Sequence, residues 1–265
     1  EKIYHHSSHW GAFDAVVEDG KLTRVKPFKN DPSPSPILNS IPNAIYGKTR
    51  VSTPMVRSGW LEKGPEKSKA KRGEESFVPI SWDTAIELIS DELKRVKKDH
   101  GNESIFAGSY GWASAGKFHN AKGLLKRFFN LFGGFTDQKL TYSISAGYAI
   151  TPYLVGTNSV CSSETTSWDS IVDNTELMVL FGGIPVKNNQ VINGGVAEHS
   201  TEEWLKKAKE KGIKFINISP LRSDIPKFTE AKWLQIRPNS DTALMLSLAH
   251  TIVIKDLHDK NFLNK

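Results

Sequence analysis

The second half of the chain alternates short apolar runs with longer amphipathic segments, and this alternation constrains the fold more than any other feature. A short apolar run predicts a buried strand, and a repeated apolar face predicts a helix. Strands are predicted at residues 177–181, 213–218 and 233–236, and helices at residues 201–211 and 241–254. Strands that alternate with helices indicate parallel βαβ units.

Parallel sheets bind ligands beyond the carboxyl ends of their strands, which makes three loops candidate binding sites: 182–190, 219–224 and 237–241. Their polar residues are Lys187, Asn188, Asn189, Gln190, Ser219, Arg222, Asn239, Ser240 and Asp241. Amides and a carboxylate can bind the edge of a purine base, while Lys and Arg can balance phosphate. The alternative is that these residues serve as turns and caps, as Asp241 at a helix start suggests.

Several common catalytic patterns are missing from the sequence. Gly182-Gly183 lacks the G-x-G-x-x-G spacing and no P-loop occurs, which disfavours a plain NAD dehydrogenase or a P-loop enzyme. Ser143 is not in a G-x-S-x-G elbow, so serine-hydrolase chemistry is poorly supported. Without further information Ser143 can be a helix N-cap, and Tyr110 and Trp112 can be core aromatics with one satisfied polar tip.

The first 156 residues predict a β-hairpin followed by a mixed segment. Residues 16–18 and 22–25 flank Asp19-Gly20, a pair that tolerates positive φ at both turn centres. Many Pro, Ser and Asn residues make 27–59 an expected irregular stretch. Beyond it, a helix is predicted from Ser81 to Gly101, a strand at 104–108, and helices at 117–132 and from about 143 to 156.

The expected fold class is therefore α/β. An N-terminal β-hairpin and irregular region is predicted at 1–55, an α/β segment at 56–156, and a Rossmann-like parallel-sheet dinucleotide-binding region at 157–265. The single cysteine, Cys161, excludes an internal disulfide and an iron–sulfur cluster held by this chain alone. No apolar run approaches the ~20 residues needed to span a bilayer.

Charge gives little sign of a nucleic-acid partner. The net charge is +6, and the basic residues are scattered apart from the run 63–72. That run contains Gly, Pro and glutamate and no interleaved aromatic residues, which favours a solvated loop over a nucleic-acid contact. His5, His6 and His9 are expected to be exposed imidazoles near a terminus rather than a metal cluster.

Many short segments of the chain, in order, resemble the dimethyl sulfoxide reductase family of molybdenum enzymes. The similar branch contains the dimethyl sulfoxide, trimethylamine N-oxide and biotin sulfoxide reductases. The matching segments include Ser8-His9-Trp10-Gly11, Pro54-Met55-Val56-Arg57, Ser81-Trp82-Asp83, Ser109-Tyr110-Gly111-Trp112, Tyr142-Ser143, Ser240-Asp241-Thr242-Ala243 and Leu257-His258-Asp259-Lys260. These segments are distributed along nearly the whole chain, and their number and order make a chance resemblance implausible.

The resemblance implies a molybdenum cofactor with two pterin guanine dinucleotides, bis(molybdopterin guanine dinucleotide) molybdenum. In this branch the protein ligand of the metal is a serine oxygen, which matches Ser143, and no iron–sulfur cluster is expected. Tyr110 and Trp112 match residues that face the reacting oxygen. The remaining cofactor-binding positions implied by the resemblance are Gly111, Ala113, Ser114, Lys187, Asn188, Ile218, Ser219, Asn239, Ser240 and Asp241, together with Tyr110 and Trp112 themselves.

The implied reaction transfers an oxygen atom from an S-oxide or N-oxide to molybdenum(IV), with two electrons and two protons consumed. The tyrosine at position 110 favours sulfoxides, because the trimethylamine N-oxide branch lacks it. The sequence departs from the family at Leu140-Thr141, where relatives usually have Gly-Asp before Tyr-Ser. This change removes a charge, so the local geometry and redox tuning can differ.

The resemblance also implies partners and a location. They are a small sulfoxide or N-oxide, an electron donor such as a membrane-anchored cytochrome c, and the rest of a longer protein, with the periplasm favoured over the cytoplasm. Because complete family members are much longer, this chain is expected to be an N-terminal portion that neither holds the whole cofactor nor is active alone. Two alternatives stay open: a catalytically inactive nucleotide-binding fragment and an ordinary nucleotide-linked oxidoreductase.

Overall fold

An antiparallel sheet of three strands forms the N-terminal region of the computed structural model, which describes residues 1–64, 71–109, 120–139, 143–161 and 165–264. The strands, in spatial order, are β1 (Lys2–Ser8), β2 (Gly11–Glu18) and β3 (Lys21–Pro27). Asp19 and Gly20 join β2 to β3 with φ of 49° and 76°, as the hairpin prediction requires. The hairpin is confirmed, and β1 adds a third strand that the sequence pattern did not predict.

The stretch expected to be irregular contains short elements. They are a 3₁₀ turn at Pro36–Ser40, α1 (Ile41–Tyr46), β4 (Met55–Arg57) and α2 (Ser58–Lys63). Leu38 in the 3₁₀ turn is fully buried and packs with Phe13 and Val25 of the sheet, so this turn closes the N-terminal core. Strand β4 pairs antiparallel with β5 (Phe77–Pro79).

The predicted helix after Ser81 is confirmed as α3 (Trp82–His100). The Ser81 hydroxyl accepts a hydrogen bond from the backbone N–H of Thr84 at 3.1 Å, and Gly101 ends the helix with φ of 80°. The predicted apolar face is only partly covered. Ala85 is buried, whereas Ile86 and Ile89 are 57% and 60% exposed.

Replacing Ser81 by alanine is expected to lower the free energy of unfolding by about 1 kcal/mol, because the Thr84 N–H loses its acceptor. Ser90 lies in the same helix and provides the control. Ser90→Ala replaces a serine by a better helix former and should cost nothing. Urea unfolding of both variants measures the difference, and equal losses would contradict a capping role for Ser81.

The predicted strand at 104–108 is wrong as a strand. A 3₁₀ turn occupies Asn102–Ser104, and Phe106 then forms a single parallel bridge with Thr136. The apolar residues Ile105 and Ala107 are nevertheless buried, against Phe129. The short apolar run therefore predicted correctly that these residues are buried. It did not predict whether another strand lies beside them to form a sheet.

Three helices follow in the described ranges: α4 (Ala121–Phe132), α5 (Ser145–Val155) and α6 (Trp168–Asn174). The side chain of Asn120 caps α4 by accepting from Gly123, so this helix begins later than predicted. Gly133 and Gly156 end α4 and α5 in the left-handed conformation, as expected. The sequence pattern missed α6, although Ser167 caps it.

The C-terminal region contains the predicted parallel sheet. Its elements are β6 (Leu177–Phe181), α7 (Val186–Asn189), α8 (Thr201–Glu210), β7 (Lys214–Ile218), β8 (Lys232–Leu234), α9 (Asp241–Ile254) and α10 (Lys260–Leu263). The strand order is β6-β7-β8, with both pairs parallel. Leu205 and Ala208 of α8 pack with Phe215 to form the core. The α/β fold class is thus confirmed, but two 3₁₀ turns replace a helix between β7 and β8.

Among the residues that the structure describes, no helix is both long enough and apolar enough to cross a membrane.

Candidate cofactor-binding site

The three predicted binding loops start side by side at one edge of the parallel sheet. The Gly182 N–H donates to the Ile218 carbonyl at 2.8 Å, and the Ser219 N–H donates to the Leu234 carbonyl at 3.3 Å. These bonds continue the ladder one residue beyond β6 and β7. The carboxyl ends of all three strands are therefore adjacent, as ligand binding at this edge requires.

Gly183 marks the closest approach between the first and second loops. The N–H of the next residue, Ile184, donates to the Asp224 carbonyl at 2.7 Å. A Cβ atom on Gly183 would lie 2.2 Å from that same carbonyl oxygen. Because Gly183 also has φ of 75°, only glycine fits here without strain. Gly183 thus serves loop packing rather than a dinucleotide fingerprint.

Ile218 and Ser219, which the sequence predicts to bind the cofactor, are both buried at the root of the second loop. The Ser219 hydroxyl donates to the Asp224 carboxylate and accepts from the Leu221 N–H at 3.2 Å. The Trp233 indole N–H donates to the Ser219 carbonyl at 2.8 Å. Ser219 therefore orders the turn that shapes this loop.

Lys187 and Asn188 are exposed on α7, within the first loop. Lys187 borders a cleft of about 490 Å³, which Glu202 and Ser223 also line. A second cleft, of about 600 Å³, contains Arg222 and shares Ser223 with the first. Both clefts are lined largely by apolar side chains, and they share Ser223, Ile225 and Pro226. The cations Lys187 and Arg222 border this shared surface, which suits the phosphate groups of a ligand.

The acidic residue of the first cleft is already paired. The Lys206 ammonium donates to the Glu202 carboxylate at 2.8 Å, and the Ser33 hydroxyl donates to it at 3.0 Å. These hydrogen bonds, led by that of Lys206, hold the pKa of the Glu202 carboxyl below its ordinary value. No salt bridge in the described part of the chain includes Lys187, so its charge remains to attract an anion.

Glu202 should make stability depend on pH at the acidic end. Because its pKa is lower in the folded chain, its contribution is complete above its unfolded pKa, about 4.3, and is lost as the pH falls through the folded pKa. Glu202→Gln should therefore flatten the fall of the urea midpoint between about pH 5 and pH 3. An unchanged slope in this variant would contradict the pairing.

The third loop leads into the N-terminus of α9. Asn239 adopts a left-handed φ of 65°, and the Ser240 N–H donates to the Arg237 carbonyl at 3.2 Å. Ser240 is the N-cap but makes no side-chain cap, and Asp241 is the first helical residue. The N-terminus of this helix of 14 residues follows the third loop directly, and its free N–H groups favour a partially negative ligand.

Ser143 lies elsewhere, in the turn that precedes α5. It is exposed, and the N-cap of α5 is Ile144, so Ser143 does not occupy the capping position that its alternative interpretation requires. It is not among the described residues that line either cleft. Tyr110, Gly111, Trp112, Ala113, Ser114 and Tyr142 lie outside the described residues, and their roles stay predictions.

Sequence reasoning overlooked Glu202, which lines a cleft, and Asp224, which lies between two lining residues. Asp224 appeared only as the limit of a loop, yet it receives bonds from both Ser219 and Ile184. Glu202 resembles an ordinary acidic residue in a first helical turn, and nothing local predicts its contact with Ser33. Among the described residues, no group of three or more His, Cys, Asp or Glu side chains could hold a metal ion.

Two family models match the chain. The model described as molybdopterin oxidoreductase matches residues 50–263, and the one described as molybdopterin oxidoreductase N-terminal domain matches residues 6–46. A biotin sulfoxide reductase of Cereibacter sphaeroides is 44% identical over 90% of this chain and 32% of its own length. A dimethyl sulfoxide/trimethylamine N-oxide reductase of Rhodobacter capsulatus is 41% identical over 97% of this chain and 31% of its own length.

A trimethylamine-N-oxide reductase of Haemophilus influenzae is 36% identical over 98% of this chain and 31% of its own length. The chain thus spans about a third of the length of the curated relatives it matches. Together the two models match nearly all of the sequence, including the three loops at the sheet edge. The chain belongs to the molybdopterin oxidoreductase family.

Proposed function

We propose that this chain is the N-terminal portion of a molybdenum-dependent reductase that takes an oxygen atom from an S-oxide or N-oxide. Dimethyl sulfoxide, methionine or biotin sulfoxide and trimethylamine N-oxide are the candidate substrates. The main support is the identity of 36–44% to reductases named for such substrates, over at least 90% of the chain. The serine at position 143 and the absence of cysteines before Cys161 agree with this assignment.

The proposed cofactor is bis(molybdopterin guanine dinucleotide) molybdenum, without an iron–sulfur cluster. The residues at the sheet edge fit a guanine dinucleotide. The exposed Lys187 beside the cleft can balance a diphosphate. Asn188 and Asp241 offer an amide and a carboxylate to a guanine edge. Ile218, Ser219, Asn239 and Ser240 shape the same edge.

When bound, this group supplies a metal that accepts an oxygen atom and exchanges two electrons. Ser143 would provide the protein ligand through its Oγ, which would have to lose its proton to bind. The Tyr110 phenol and the Trp112 indole N–H would each donate a hydrogen bond to the substrate oxygen. Tyr110 favours sulfoxides over trimethylamine N-oxide. Gly111, Ala113 and Ser114, in the same segment of the sequence, are the proposed contacts to the pterin.

The remaining proposals concern organisation and partners. The three regions 1–55, 56–156 and 157–265 form a hairpin region, the segment that carries the metal ligand, and the dinucleotide-binding region. The rest of a longer protein completes the site, and an electron donor such as a membrane-anchored cytochrome c supplies the electrons. The proposed location is the periplasm.

Oxidation of reduced viologen by the full-length gene product tests the function. Turnover with dimethyl sulfoxide or methionine sulfoxide is expected, and trimethylamine N-oxide should be a poorer substrate because of Tyr110. A protein that contains molybdenum but oxidises no viologen with any of these substrates would contradict the proposal. The result would then favour the inactive nucleotide-binding alternative.

Two measurements on the 265-residue chain separate the other possibilities. Molybdenum and guanine content should both be well below one equivalent, because the chain is expected not to hold the whole cofactor alone. Stoichiometric metal would overturn that expectation. Tight binding of NAD would favour an ordinary nucleotide-linked oxidoreductase, which the missing glycine fingerprint disfavours.

A further inference from the structure

A buried carboxylate–imidazole pair connects the N-terminal region to the segment that follows β6. The His199 Nδ1 atom lies 2.7 Å from the Asp31 Oδ2 atom, and their side chains are 2% and 0% exposed. The other carboxylate oxygen of Asp31 accepts from the His199 backbone N–H at 2.9 Å and from the Ser33 N–H at 3.1 Å. Asp31 thus accepts three hydrogen bonds, two of them from a residue 168 positions away.

This pair differs from an ordinary surface ion pair. His5 and Asp14 have the same separation of 2.7 Å, but their side chains are 91% and 39% exposed. Exposed pairs contribute little, because water already solvates both partners. A buried carboxylate, in contrast, is tolerated only when donors satisfy it, and removing its acceptor atoms leaves buried donors unsatisfied. The two pairs therefore allow one chemical change to be compared in two environments.

The buried pair is continuous with the loop that carries Lys187 and Asn188. The amide of Gln190, directly after α7, donates to the Ser33 carbonyl at 3.0 Å and contacts its hydroxyl at 3.1 Å. The same Ser33 hydroxyl donates to Glu202 at 3.0 Å, on the far side of His199. The turn 31–33 therefore hydrogen-bonds to residues 190–202 at three positions, Gln190, His199 and Glu202.

Close packing adds to these hydrogen bonds. A Cβ atom on Gly11 would lie 2.9 Å from the His199 ring, so the start of strand β2 packs closely against the imidazole. The Ile192 N–H donates to the His9 carbonyl at 2.8 Å. Residues 182–200 contain only the four-residue helix α7, and such long connections are ordered by contacts rather than by their own secondary structure. The N-terminal region supplies those contacts.

We propose that Asp31 is a positioning residue, which holds the loop with Lys187 and Asn188 in the geometry that binds the cofactor diphosphate. The inference rests on the proposed function of that loop. Asp31 acts through His199, Ser33 and Gln190 and touches no ligand itself. The N-terminal sheet is thereby part of the nucleotide site, although none of its residues lines the clefts in the described ranges.

The test compares Asp31→Asn with Asp14→Asn in the 265-residue chain. Asparagine keeps one acceptor oxygen and replaces the other by an NH₂ group, which then faces either the backbone N–H groups of His199 and Ser33 or the His199 ring. Amide hydrogen exchange across residues 186–200 should therefore accelerate about tenfold or more. The affinity for guanosine diphosphate, used as the probe, should fall by a similar factor. Asp14→Asn makes the same change at the exposed pair and should alter neither quantity.

Gln190→Ala provides a second variant that leaves the buried pair intact. It should accelerate exchange at residues 186–190 and weaken guanosine diphosphate binding while the N-terminal sheet stays protected. The inference is overturned if Asp31→Asn lowers the melting temperature but leaves both loop exchange and nucleotide affinity unchanged. A wild-type chain that binds no guanosine diphosphate would instead overturn the proposed function of the loop. The exchange rates of the variants would still show whether Asp31 orders residues 186–200.

Discussion

Ser143→Ala is expected to abolish the oxidation of reduced viologen by dimethyl sulfoxide in the full-length protein. The proposed role of Ser143 is to bind the metal through its Oγ, and alanine has no atom that can replace it. Losing a residue that merely orients a ligand typically costs about 10–100-fold, so losing the ligand itself should cost more. The exposed position of Ser143, in the turn before α5, is compatible with a ligand that reaches out of the fold.

Ser145 is the natural control for this substitution, because it is also a serine and begins α5 two residues later. Ser145→Ala should retain most of the activity. Molybdenum analysis of both variants distinguishes a lost metal from a metal that is held but inactive. Retention of more than about a tenth of the activity in Ser143→Ala would contradict the ligand assignment, since the expected loss exceeds that factor.

Gly183→Ala is expected to destabilise the chain by about 2–5 kcal/mol. The new methyl group would lie 2.2 Å from the Asp224 carbonyl oxygen, which belongs to the backbone and cannot rotate away. Overpacking of this kind costs about 1–3 kcal/mol, and a left-handed φ costs an L residue roughly 1–2 kcal/mol more. Relief of the clash would separate the first two loops, so guanosine diphosphate binding should weaken as well.

Gly182→Ala measures the loss of stability that comes from the left-handed backbone alone. Gly182 has a similar φ of 81°, but a Cβ atom there would meet nothing within 4 Å. Its expected cost is therefore only the roughly 1–2 kcal/mol of the left-handed conformation. Urea unfolding of the two variants gives the difference directly. If both lose the same stability, the contact between Gly183 and Asp224 contributes nothing.

Several elements were predictable because their causes are local. The hairpin at Asp19-Gly20 follows from two adjacent residues that tolerate positive φ, and α3 follows from Ser81 at one end and Gly101 at the other. Strand β6 and helix α9 match their predicted limits because the apolar runs that define them are visible within a few residues. Parallel pairing also followed, since the helix α8 between β6 and β7 forces the two strands to run in one direction.

Other features could not be predicted, because their partners are distant in the chain. The apolar run 104–108 is compatible with a buried strand and with a buried coil. Its conformation depends on the short segment around Thr136, which offers only one bridge to pair with. The third strand, β1, has polar residues on both faces and carries no alternation to reveal it. The contact of Glu202 with Ser33 joins residues separated by 169 positions, a distance that no local pattern encodes.

Residue types, spacing and chain order were enough to specify the α/β class, the three candidate loops and the likeness to a molybdenum family, because each depends on short-range stereochemistry or on matching letters. The arrangement of those loops required folding. The contact of Gly183 with Asp224 and the pairing of Asp31 with His199 exist because folding brings segments that are distant in the chain together. Short-range rules act on neighbours along the chain, whereas a binding site is built from neighbours in space.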